Sequence, residues 1–191
     1  MSKGRLEAFS DGVIAIIITI MVLDLHFPRE ATLAALRPVI PTFLGYILSY
    51  VFVGIYWNNH HHLLHASHKV NGTVLWANLH LLFWLSIVPF ATGFMGQNHF
   101  ARVTVELYGV VLIMAAIAFT LLVRALVACN GAGSTIATAI GRDYKGKASL
   151  AIYLVAILCA QVHPWISVGL YVLVAIIWFV PDRRIERIVA E

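Results

Sequence analysis

The chain has 191 residues, 61% of them hydrophobic and only 12% charged, with a formal net charge of +4. Soluble domains carry about 25% charged residues, so this composition and a mean hydropathy of +0.87 exclude an ordinary soluble domain and point to an integral membrane protein. In such a protein, excess Lys and Arg mark cytoplasmic loops, so no nucleic-acid partner is expected.

A helix needs about 20 apolar residues to cross a bilayer. The expected fold is all-α: a single polytopic transmembrane domain over 1–191, with six spans at about 8–27, 40–61, 74–95, 103–128, 148–163 and 165–180. The first apolar run, Gly12 to Leu23, is flanked by Asp11 and Asp24 and has no small-residue cleavage site. It is therefore read as a retained span, not a signal peptide.

The first span opens "RLEAFSDGVIAIIITIMVLDL", residues 5–25. At about 100° per residue, Phe9, Gly12, Ile16, Thr19, Ile20 and Leu23 fall within about 60° of Arg5 and form one stripe. Asp11 points about 120° away from it. A carboxylate at this depth has to be paired, hydrogen-bonded or wet, so Asp11 is expected to face other helices. The stripe itself has two readings from the residues alone: ordinary packing, or a pore wall with a hydrophobic constriction. Asp24 follows Asp11 by about 20 Å of helix. It either concentrates cations at the outer mouth or simply ends the span.

Pro28, Pro38 and Pro41 break the first connection. Span two ends in "YWNNHHHLLH" and span three begins "WANLHLLFW". Both ends lie at the depth of Asp11 and supply donors: Asn58, Asn59, His60, His61, Trp76, Asn78 and His80. A network among these, Ser10 and Asp11 is expected to fix the cytoplasmic end of span one. His61, His65 and His68 share a helical face, but that stretch holds no Cys or carboxylate to complete a metal site. The histidines are read as structural, with pH sensing as a further possibility, and no metal is expected.

In span four, Glu106 sits at i, i+4 spacing from Arg102. Cys129 and Cys159 lie in apolar surroundings and are read as packing residues. Residues 148–180 read as one long helix or as two short ones hinged at His163-Pro164-Trp165, and charge separates these readings. With six spans, ten basic residues share one side: Lys3, Arg5, Lys69, Arg124, Arg142, Lys145, Lys147, Arg183, Arg184 and Arg187. Only Arg29, Arg37 and Arg102 lie opposite. The positive-inside rule therefore favours six spans with both termini cytoplasmic.

The pattern Arg5-x-x-x-Phe9-Ser10-Asp11, with the histidine and tryptophan segments of spans two and three, resembles the lysosomal potassium channel family (transmembrane protein 175) and its bacterial single-repeat members. The resemblance covers the first three spans and the six-span layout. It implies a homotetramer in a prokaryotic plasma membrane, conducting monovalent cations, chiefly potassium, passively along an axis lined by the first span. It also implies a constriction of Ile16, Ile20 and Leu23 with Thr19 as a hydroxyl layer. The network it implies joins Arg5, Phe9, Ser10 and Asp11 to Asn58, His60, His61, Trp76, Asn78 and His80.

The usual potassium filter is a TVGYG loop. The nearest string here, Leu44-Gly45-Tyr46, lies within span two and lacks the Thr and Val, so the expected channel fold has no pore loop. A secondary transporter or proton-coupled carrier using Asp11 and the histidines is the alternative. No nucleophile, metal signature or phosphate loop accompanies these groups, so no enzyme, catalytic residue or cofactor is expected; potassium enters only as permeant ion.

Overall fold

A computed structural model describes residues 2–131, 133–140 and 144–179. No strand occurs among them. The helices are α1 (Lys3–Leu23), α2 (Ile40–His65), α3 (Gly72–Gln97), α4 (Arg102–Asn130), α5 (Thr135–Ile140), α6 (Tyr144–Cys159) and α7 (Pro164–Phe179), with a 3-10 turn at Ala34–Val39 leading into α2. Arg142, Arg183, Arg184 and Arg187, which entered the charge comparison, and residue 180 lie outside the described residues.

Local chemistry sets several of these boundaries. Asn71 caps α3, its side chain accepting from the Val74 amide at 3.0 Å. Gly131, at φ +95°, ends α4. Pro164 opens α7, where its missing N–H costs nothing. α1 starts five residues before the expected span and ends at Leu23. α2 continues through the histidine cluster to His65.

Four helices, or helix runs, are long and apolar enough to cross a membrane: 3–23, 34–65, 72–97 and 102–130. The six-span expectation meets a difference at the end of the chain. α6 and α7 have 16 residues each, about 24 Å at 1.5 Å per residue, which is shorter than a bilayer's hydrocarbon core. They are separate helices packed on each other across a turn at 160–163.

α3 is the central helix. It packs against α1, α2 and α4, while α6 packs on α4, and α7 on α2 and α4. Small residues allow the close approaches. A Cβ at Gly96 would lie 2.5 Å from the Thr42 backbone, and one at Gly109 would collide with the Tyr171 hydroxyl. A buried hydroxyl chain joins α2, α3 and α4. Thr92 donates to Val88 O at 2.7 Å. Ser49 therefore donates to Thr92 (2.6 Å), and Tyr108 donates to Ser49 (2.9 Å). This arrangement uses all three protons with none left over.

The α3–α4 turn is a Schellman cap. The Phe100 amide donates to Met95 O at 2.9 Å and the His99 amide to Gly96 O at 3.1 Å. His99 (φ 50°) occupies the left-handed position that normally takes Gly. Phe100 (φ 59°) follows it, 3% exposed and stacked on Trp165 at 4.8 Å. Aromatic burial and stacking offset the backbone cost here.

His99→Gly is expected to stabilise the fold by about 1 kcal/mol, raising Tm by about 2–4 °C in a thermal unfolding scan. In the same scan Gly96→Val is expected to destabilise by about 3 kcal/mol, since the clash is with backbone that cannot rotate away.

Candidate functional site

α1 has a buried face and an uncovered one, with half-buried residues such as Glu7 and Asp11 between them. Leu6, Ser10, Ile14, Ile17 and Met21 are buried against the rest of the chain. On the other side Ile16 is 58% exposed, Ile20 46% and Leu23 77%, with Arg5, Phe9, Gly12 and Thr19 also exposed. The stripe read from the sequence is thus the side of α1 that its own chain leaves uncovered. The Thr19 hydroxyl donates to Ile16 O at 2.9 Å, so only its oxygen lone pairs remain outward.

The buried face carries a directional bond chain. Ser10 Oγ donates to Leu6 O at 2.8 Å. Asn78 Nδ2, on α3, donates to Ser10 Oγ at 2.9 Å. His60 Nε2, on α2, lies 2.7 Å from Asn78 Oδ1. That oxygen only accepts, so His60 carries its proton on Nε2. In the neutral ring its Nδ1 is then a bare lone pair, and it is buried without a partner among the described residues. Ser10, Asn78 and His60 are all fully buried. One relay therefore runs from the α1 backbone through α3 to α2.

Asp11 stands beside this relay. Its Oδ1 accepts from the Trp57 indole at 3.0 Å, a partner absent from the sequence expectation. Trp57 precedes His60 by three residues, so helical spacing brings it to the neighbouring face of α2. Glu7 reaches His61 at 3.5 Å, so a carboxylate from α1 does meet the histidine segment. His61 stacks on His65, with ring centroids 6.1 Å apart, and His68 lies beyond the helix. The described residues contain no group of three or more ligands able to hold a metal ion.

Other expected network members sit elsewhere. Arg5 and Phe9 lie on the uncovered face, about 120° or more from Asp11 and about 100–140° from Ser10, and make no bond to the relay among the described residues. Asn58 is exposed and Trp76 is 75% exposed. His80 accepts from Trp84 at 3.0 Å within α3 instead.

The two ends of α1 are fixed differently. At the N-terminal end, Lys3 Nζ donates to Ser67 O at 3.0 Å and His65 O at 3.3 Å, capping the α2 C-terminus. At the other end, Asp24 leans on α3, where a Cβ at Gly93 would sit 2.9 Å from its Oδ2. Asp24 lines an open groove of about 610 Å³ that also holds His26, Arg29, Glu30 and His99. Further round, Glu106 accepts from Gln161 and lies 3.7 Å from Arg102. Cys129 and Cys159 are free and half-buried.

With this geometry in hand, comparison with known proteins is informative. Residues 5–89 match the family described as endosomal/lysosomal potassium channel TMEM175. A potassium channel of Chryseobacterium sp. strain P1-3 is 53% identical over 191 residues, all of both chains. The endosomal/lysosomal proton channel TMEM175 of Mus musculus is 34% identical over 114 residues, 53% of this chain and 22% of that one. Among solved structures, a lysosomal potassium-selective channel TMEM175 homolog from Chamaesiphon minutus superposes with a TM-score of 0.78 at 27% identity, covering 92% of this chain and 95% of that one.

Replacing Asn78 with Leu strands a buried Ser10 oxygen and a buried His60 N–H. The expected loss is about 2–4 kcal/mol in thermal unfolding, against under about 1 kcal/mol for Trp57→Phe, whose bond to Asp11 is exposed.

Proposed function

The chain belongs to the TMEM175 channel family, and from that premise we propose that it forms a homotetrameric, potassium-permeable channel whose axis is lined by α1. The carrying observation is the division of α1 into an anchored polar-and-apolar face and an uncovered branched-aliphatic face. A soluble protein could leave such a stripe to a partner; in a membrane chain the choice is lipid or other copies. The relay through Asn78 and His60 sets the rotation of α1, and four copies turned the same way would bring Ile16, Ile20 and Leu23 together.

Such a ring excludes bulk water and sorts ions by the ease with which they shed hydration. Potassium loses its water more readily than sodium, so even an apolar ring favours it. Thr19 oxygens, their protons already committed to Ile16 carbonyls, face a stripped cation with lone pairs. Asp24 carboxylates concentrate cations at the outer mouth. In this reading α6 and α7 cross as a short, slanted pair, giving six spans in one domain, with both termini cytoplasmic in a prokaryotic plasma membrane. The full-length relative named as a potassium channel supports potassium over protons as the permeant ion.

Purified protein in planar bilayers under a potassium gradient is expected to give single-channel steps reversing near the potassium equilibrium potential. Slow saturable flux without steps would instead mean a carrier. Ile20→Asn is expected to raise conductance about tenfold, a barrier change of about 1.4 kcal/mol, and to lower the potassium-to-sodium permeability ratio. Unchanged conductance and ratio in both Ile16→Asn and Ile20→Asn would remove the constriction.

A further inference from the structure

Away from α1, the helices α2, α4, α6 and α7 enclose a chamber of about 40 Å³. Five rings wall it: Phe52, Tyr56, Phe119, Tyr153 and Trp178. Its polar lining comes from Asn59, Thr120 and Ser149. A second, open groove of about 260 Å³ shares Ile55, Asn59 and Trp178 with the chamber and runs along Tyr50, Val51 and Gly54. A Cβ on Gly54 would meet nothing within 4 Å.

The hydrogen bonds of the wall are unevenly used. Ser149 donates to Lys145 O and accepts from the Trp178 indole, both at 2.8 Å. Thr120 has spent its proton on Ala116 O (2.9 Å) and Asn59 one N–H on Ile55 O (2.8 Å), so each keeps an acceptor oxygen. The Tyr56 and Tyr153 side chains line the chamber, and their hydroxyls make no hydrogen bond to another described residue; neither oxygen is among the fully buried unpartnered atoms, so both open on the chamber. Tyrosine hydroxyls in such a half-apolar setting ordinarily find a partner. The wall thus offers three unused donors, the two tyrosine hydroxyls and the second Asn59 N–H, beside the acceptor oxygens of Asn59 and Thr120. No Lys, Arg, His, Asp or Glu among the described residues lines the chamber or the groove, which excludes a charged guest.

We infer that this cleft is a binding site for a neutral, hydroxyl-headed, single-tailed amphiphile drawn from the bilayer. A hydroxyl both accepts and donates, so it answers the tyrosines and the Asn59 or Thr120 oxygen together. A chamber of this size holds a head group, at about 10–15 Å³ per water-sized group. The tail runs out along the groove between Gly54 and Trp178. Chamber and groove together reach the lower end of the range for small-ligand sites.

The test is photolabelling of the full chain in lipid nanodiscs with decanol carrying a mid-chain diazirine, followed by peptide mass spectrometry. Adducts should concentrate on residues 50–59 and on the segment holding Trp178. A hundredfold excess of plain decanol should cut them about tenfold, and decyl sulfate or decyltrimethylammonium should not. Tyr56→Phe with Tyr153→Phe keeps both rings and the fold, and should reduce the competable label at least fivefold. Thr120→Leu, which fills the chamber, should abolish it. Adducts spread evenly over the exposed helices, equal competition by the charged analogues, or unchanged labelling in the double Phe variant would overturn the site. So would a chamber that holds ordered water alone in the presence of saturating decanol.

Discussion

The bond chain from Leu6 O through Ser10 and Asn78 to His60 decides how α1 is turned. Apolar contacts tolerate a helix rotating by tens of degrees, because one branched side chain replaces another at little cost. A hydrogen-bonded relay among fully buried groups does not, because each misplacement strands a donor or acceptor away from water. Every link here has a single donor direction. The Asn78 carbonyl forces the His60 tautomer, and the Ser10 proton is committed to its own helix. Specificity of orientation, more than gross stability, is what such a network supplies.

Once α1 is oriented, the other features follow. Ile14, Ile17 and Met21 fill the groove beside α3, and Asp11 lands within reach of Trp57. Ile16, Ile20 and Leu23 are left largely uncovered by the described residues. In the proposed channel, with no TVGYG loop to supply backbone carbonyls, discrimination would rest on side chains held in register. The relay lies near the Lys3 end of α1, and Ile16, Ile20 and Leu23 follow beyond it.

Much of this was legible in the sequence because helical periodicity is simple. The stripe on α1, the polar cluster at the ends of α2 and α3, and the hinge at Pro164 all come from spacing and residue type. Other parts had no local signal. Trp57 is inconspicuous beside the Asn and His residues, although its offset of three from His60 puts it on the neighbouring face of α2. Arg5 and Phe9 share a sequence motif with Ser10 and Asp11 yet sit on another side of the helix; adjacency in the chain is not adjacency in space. The approach of Asp24 to Gly93 joins residues 69 positions apart, and nothing in either segment announces it. The left-handed pair at His99 and Phe100 defies the usual preference for Gly, because the stacking of Phe100 on Trp165 is a tertiary effect.

The unequal attachment of α1 has a mechanical consequence. The helix is pinned near its N-terminal end by oriented bonds, at Lys3 and Ser10, while beyond Ser10 it rests mostly on aliphatic surfaces. Such a rod is a cantilever: displacement grows with distance from the clamp. Leu23 lies about 20 Å past Ser10, so a tilt of about 5° would swing it by about 1.7 Å while leaving the clamp nearly still. Small forces applied to the far tip are therefore magnified where the aliphatic side chains are, and filtered out where the polar ones are.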